Sequence, residues 1–280
     1  MAQPLDAKSV ALRVGLYVFF YWVTLLVVSH LLVGLAGYLV GGSLGTLVAA
    51  FTANLITLRI YEQRDWRDIG LRGGRASAVN LGWGLAGGGA MALLVLGGPL
   101  LAGMARLEPA AGAPDLASAA LLAAMLLGGS VGEEMCFRGY AFQLLIRHMG
   151  PFSTIFPVGA AFALLHGGNP YSTWHALFNT AGFGILFGIA FWRSRDIWLP
   201  IGLHYGWNLV LPLFGANVSG FTMKLTAYEM RWNAGPLWSG GDYGPEASLL
   251  TSGALVLLAL FVWKAPVRRQ VAPLLEGAPE

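Results

Sequence analysis

Long apolar runs alternate with short polar connectors along this chain, and the connectors divide it into elements. From Val14 to Leu58 there is no formally charged residue. A membrane crossing takes about 20 apolar residues, so this run is too long for one span. The glycine-rich "GYLVGGSLG" at 37–45 supplies a turn, and the pattern predicts helices near 13–37 and 43–60. A polar connector, "RIYEQRDWRDIGLRGGR", follows; the next uncharged stretch, 76–105, predicts a third helix near 79–103. After the loop "RLEPAAGAPD" comes a helix expected over 116–147. "HMGP" ends it, and a fifth helix is expected at 152–166. "HGGNPYST" is a turn of Gly, Asn and Pro, and two further helices fall near 174–192 and 198–214. A mixed loop carrying Tyr228, Trp232, Trp238 and Tyr243 precedes a last helix near 248–263 and a short basic tail.

Composition supports a lipid-facing chain. Hydrophobic residues make up 56% and charged residues 11%, against about 25% charged in a soluble domain. The 39 glycines suit close helix approach inside a membrane. The expected fold class is therefore all-α, a polytopic membrane bundle of about eight helices, forming one integral membrane domain over 1–280 with no internal repeat. The net charge of +3 says little, but its distribution does. With eight spans, thirteen of the Lys and Arg residues fall on the side of the two termini, and only Arg106, Lys224 and Arg231 on the other. The positive-inside rule then places both termini in the cytoplasm of a multi-pass inner-membrane protein. The run at 14–37 is longer than a signal-peptide core and reads as a retained anchor. A single cysteine, Cys136, excludes an internal disulfide and a Cys-rich metal site. No basic patch with interleaved aromatics occurs, which argues against nucleic-acid binding.

Three short motifs match patterns whose context is missing. "GWGLAG" (82–87) fits G-x-G-x-x-G but follows no strand, so helix packing through small residues is favoured. "GGSVG" (128–132) fits a nucleophile elbow, which needs a strand–turn–helix; Ser130 as an intramembrane serine nucleophile is the minor alternative to a small helix-contact residue. "NVS" at Asn217 fits a glycosylation acceptor and carries no weight without a known host. His30 and His175 are expected to be structural or incidental.

One stretch does demand explanation. "EEMCFR" places Glu133, Glu134 and Arg138 at the end of a run with no charge since Asp115. On a helix, Glu134 and Arg138 are an i,i+4 pair with the acid first, within about 40° of one another. Glu133 points about 100° away and lacks that partner, so it is poised for proton transfer. Burying three charges costs roughly 8–10 kcal/mol if insertion values are summed, which favours function over packing. "FALLH" (162–166) brings His166, and "HYGWN" (204–208) brings His204 and Asn208 at i,i+4. Counting back from Arg147 and forward from Pro151 puts Glu133 and His166 at a common depth of roughly 21–22 Å, with His204 and Asn208 roughly 10–15 Å deep.

"EEMCFR", "FALLH" and "HYGWN" resemble the EExxxR, FxxxH and HxxxN motifs of the CPBP (Abi) family of CAAX-processing and bacteriocin-processing intramembrane proteases, including type II CAAX prenyl endopeptidases. The resemblance covers roughly 116–215, the expected protease core, and keeps the motif order on the fourth, fifth and seventh helices. It implies a glutamate-type peptidase. Glu133 and His166 would hold and deprotonate a water, His204 and Asn208 would stabilise the oxyanion, and Glu134 with Arg138 would position the site. It implies a membrane-embedded or lipidated peptide or protein substrate in the bilayer, and no cofactor or metal. Two alternatives stay open: a zinc protease using Glu133, His166 and His204, and a non-catalytic immunity or scaffold membrane protein. A proton-coupled transporter would call for broken half-helices and repeat symmetry, and the sequence suggests neither.

Overall fold

A computed structural model describes residues 6–276. In chain order it comprises α1 (Ala7–Tyr61), α2 (Arg75–Leu101), β1 (Ala105–Pro109), α3 (Leu116–Arg138), α4 (Tyr140–Met149), α5 (Pro151–Leu165), α6 (Trp174–Ser194), α7 (Trp198–Leu213), β2 (Tyr228–Trp232), α8 (Pro236–Ser239), α9 (Leu249–Lys264) and α10 (Pro273–Glu276). The fold is a polytopic helical membrane bundle. Counting the two arms of α1 separately and α3 with α4 together gives the eight expected apolar helices. Four helical stretches among the described residues are long and apolar enough to cross a membrane: α1, α2, α3 with α4, and α6. α5, α7 and α9 have 15, 16 and 16 residues, short of a full crossing.

α1 is a hairpin. Gly37 adopts φ 84° and ψ 174°, outside helical geometry, and the chain reverses there. Arg13 pairs with Glu62 at 2.8 Å, and Asn54 Nδ2 donates to Tyr17 Oη at 3.3 Å. These contacts join residues nearly equidistant from Gly37. The turn therefore occupies one residue, and 38–45, expected as part of a turn, is helical. The small residues there serve close approach instead: a Cβ at Gly41 would lie 2.8 Å from the Val33 nitrogen.

Glycine also brings α7 against α2. A Cβ at Gly206 would sit 2.7 Å from Leu85 O, and one on Gly202 would sit 2.9 Å from Gly84 Cα. Gly84 and Gly87, in the "GWGLAG" stretch, lie within α2 and pack against α7 and the Phe261 ring of α9. This contact fixes the height of α7, and with it His204.

The helix expected over 116–147 is broken. Asp115 caps its start by accepting from Ser118 N at 2.8 Å. At Gly139 (φ −75°, ψ −145°) helical geometry stops, and α4 begins with Tyr140. The break frees backbone groups that must find partners. Asn54, buried in the second arm of α1, supplies them. Its Oδ1 accepts from Tyr140 N at 2.7 Å, and its Nδ2 donates to Met135 O at 3.0 Å and Ala50 O at 2.7 Å. The depth of Glu133 therefore cannot be counted back from Arg147 along one helix.

A small sheet was not expected in an all-α chain. β1 and β2 pair antiparallel, with Arg106 opposite Arg231. The loops after α2 and α7 therefore meet at one end of the bundle. At another position, Asn80 near the start of α2 accepts from Arg268 N and donates to Asp196 Oδ2, both at 2.8 Å. The basic tail thus returns to the turn between α6 and α7.

Candidate active site

The second glutamate is tied by two partners, Arg138 and His204. Glu134 and Arg138 sit one turn apart on α3, and both side chains are fully excluded from solvent. Arg138 reaches Glu134 Oε2 at 3.2 Å and Oε1 at 3.3 Å. Its other terminal nitrogen donates to Gly184 O at 2.6 Å. That carbonyl is within reach because α5 and α6 touch at Gly159 and Gly184, where a Cβ on Gly184 would be 2.9 Å from Gly159 Cα. Phe137, Phe162 and Phe187 surround the guanidinium with ring centroids at 5.7, 5.4 and 5.5 Å. A buried charge needs this degree of compensation.

His204 takes the remaining face of Glu134. Its Nδ1 lies 3.0 Å from Glu134 Oε1, so the carboxylate orients the ring and fixes Nδ1 as an N–H donor. Phe187 stacks on the imidazole at 5.1 Å and 17°. His166 follows α5 and opens a short 3-10 turn, His166–Gly168. Its Nδ1 lies 2.8 Å from Phe162 O, which can only accept, so Nδ1 carries the proton and Nε2 is left outward. The FxxxH spacing thus has a structural meaning: residue i provides both a carbonyl and a ring, 4.6 Å from the imidazole centroid.

Both outward nitrogens meet Glu133. His166 Nε2 lies 3.8 Å and His204 Nε2 3.9 Å from Glu133 Oε2. That oxygen is buried and has no hydrogen-bond partner among the described residues. Glu133 keeps 30% side-chain exposure where Glu134 has none, and the exposed part faces a cavity of about 610 Å³. Asn208 lines the same cavity, one turn beyond His204. The structure therefore gathers Glu133, Glu134, Arg138, His166 and His204, and sets Asn208 on the shared wall.

Ser130 is buried at this wall, and its Oγ has no hydrogen-bond partner among the described residues, neither histidine included. The serine-nucleophile alternative lacks its base. The described residues contain no group of three or more His, Cys, Asp or Glu that could hold a metal ion. His175 Nε2 lies 2.9 Å from Ser252 Oγ on α9, and His30 Nδ1 lies 2.6 Å from the Leu26 carbonyl of its own helix.

Sequence reasoning missed Gly184, Phe187 and Glu246. The first acts through a carbonyl and the second through a ring face, which no spacing rule encodes. Glu246 lies in a turn before α9 that read as loop, yet it lines the cavity.

A comparison with curated proteins gives no match. A family model described as "Type II CAAX prenyl endopeptidase Rce1-like" matches residues 115–210, which begin at the cap of α3 and end two residues beyond Asn208. This segment, which holds every residue of the Glu–Arg–His–His–Asn set, is similar to that family of endopeptidases.

Proposed function

We propose that the protein hydrolyses a peptide bond in a membrane-associated, lipidated protein, using a water activated by Glu133 and His166. One observation carries this: a buried carboxylate oxygen lacks a hydrogen bond while two imidazole nitrogens face it from 3.8 and 3.9 Å. Those gaps are too long for direct bonds, and suit a water at about 2.8 Å from each partner. Glu133 accepts one proton from that water as its oxygen attacks the peptide carbonyl carbon. His166, with Nε2 free, holds the water for attack, and Glu133 returns the proton to the departing amine as the C–N bond breaks. Glu134 holds the His204 ring through Nδ1, and His204 with the Asn208 amide stabilises the oxyanion.

The membrane-embedded cavity supports the substrate class. Its lining includes Trp22, Leu25, Leu39, Met125 and Leu126, apolar side chains suited to a lipid chain. The concentration of Arg at the end opposite the β1–β2 sheet supports cytoplasmic termini. The test uses purified protein in lipid vesicles with a prenylated CAAX peptide and its unprenylated twin. Cleavage of the prenylated peptide, abolished in Glu133→Gln, is the expected result. Equal cleavage of both peptides would remove the lipid from the proposal, and cleavage retained in Glu133→Gln would remove the mechanism. Reporter fusions at residues 110 and 230 should lie outside the cytoplasm.

A further inference from the structure

Part of the wall of the reaction cavity is a two-residue turn held by a carboxylate that the mechanism does not use. Val218 and Phe221 exchange both backbone hydrogen bonds, at 3.0 and 2.9 Å. The residues between them, Ser219 and Gly220, adopt φ 49° and φ 88°. Glycine accepts this conformation freely, but serine takes it only when something compensates. Glu246 is that compensation. It is buried, and its two oxygens accept from Ser219 N and, at 3.2 Å, from Ser219 Oγ. Its own backbone is anchored, since Asn179 of α6 donates to Glu246 O at 2.8 Å and to Ser248 O at 3.0 Å. Val218, Ser219 and Phe221 line the same cavity as Glu133 and His166.

We propose that Glu246 is a positioning residue of the peptidase reaction: through Ser219 it latches the turn Val218–Phe221 closed over the cavity and so sets the path by which substrate reaches Glu133. The inference rests on the peptidase reading above. Gly220 N donates to Tyr243 O at 2.8 Å and pins one side of the turn, while the carboxylate holds Ser219, so releasing the carboxylate frees the Ser219 side of the wall. A wall of this kind governs binding and leaves the reacting groups in place.

The experiment has two readouts. In a Cys136→Ser background, Val218→Cys is buried by the closed turn and should react slowly with a polar maleimide. Adding Glu246→Ala should raise the labelling rate about tenfold or more, because hydrogen bonds to a charged acceptor are each equivalent to roughly one decade. On the otherwise native chain, Glu246→Ala should raise KM about tenfold with kcat changed less than about threefold, the signature of lost binding with intact chemistry. Glu246→Gln, whose amide oxygen still accepts from Ser219 N, should restore slow labelling. Ser219→Ala removes only the Oγ contact and should give a smaller rise, which keeps the test open if Glu246→Ala fails to fold. Unchanged labelling in a folded variant, or a Gln variant as open as the Ala variant, would overturn the latch. Raised labelling with unchanged KM would show that the turn lies outside the substrate path. Loss of kcat at constant KM would assign Glu246 to the chemistry instead. Labelling requires no cleavage, so a failed latch and a failed peptidase assignment are read separately.

Discussion

Two buried polar clusters in this protein have similar components and opposite bookkeeping. Around Asp196, every acceptor is used. Oδ1 accepts from Trp198 N at 3.0 Å, and Oδ2 accepts from Asn80 at 2.8 Å and from Gln270. The result is a clasp that pins the C-terminal segment to α2 and the turn before α7. Around Glu133, the neighbouring carboxylate is ion-paired with Arg138 and bonded to His204, while Glu133 Oε2 is left with neither a bond nor a cation and is turned to a cavity. Polar groups that fix structure complete one another. The proposed reaction needs one such open position, and the paired groups beside it hold it in place.

The comparison breaks most visibly at Glu133. Glu133→Gln keeps the shape and removes the base, so cleavage should fall by about 10² to 10⁴ with the melting temperature unchanged. If that variant instead melts early, Glu133 belongs with the structural groups. Glu134→Gln should do what Glu133→Gln does not. It strands Arg138 and unties His204, and breaking a buried pair costs about 3–5 kcal/mol, so melting in detergent and activity should drop together. A stable, inactive Glu134→Gln would reverse the two roles.

The clasp gives a third, smaller effect. Asn80→Ala removes a donor to Asp196 and both contacts to Arg268, and should cost about 1–3 kcal/mol of stability with cleavage unaffected. An equal loss of activity would mean that the clasp reaches the site. Ser130→Ala should leave most activity in place, and a loss matching that of Glu133→Gln would revive the serine nucleophile. The smallest effect is in pH. Burial pushes the Asp196 carboxyl above its ordinary value, partly offset by its Asn80, Trp198 and Gln270 donors. Its protonated form is thus favoured by the fold. The stabilisation is fully present below the ordinary carboxylate value of about 4 and is lost as pH rises through the raised one. The melting temperature of the native protein relative to Asp196→Asn should therefore fall between acid and neutral pH, and a flat difference would contradict it.

The hydropathy pattern was enough for the helices, because in lipid an apolar run must satisfy its own backbone and has few alternatives. It gave the ends of α6, α7 and α9 within a few residues. It also separated Glu134 from Glu133, since the i,i+4 geometry of Arg138 is a property of one helix. The break at Gly139 was not legible there, because its freed groups are satisfied by Asn54, far away in sequence. Nor was the one-residue turn at Gly37, because "GYLVGGSLG" uses its other glycines for contact between the arms.

By itself the sequence determined the helical membrane class, the order of the polar motifs and the pairing within α3, all of which follow from local periodicity and the cost of charge in an apolar run. Only the tertiary structure decided that His166 and His204 turn their Nε2 atoms to one oxygen of Glu133, that Gly184 lends its carbonyl to Arg138, and that Glu246 reaches the cavity wall from a distant turn. Those contacts join separate helices, and their distances are set by glycine-mediated approach and ring packing, which a linear pattern does not encode.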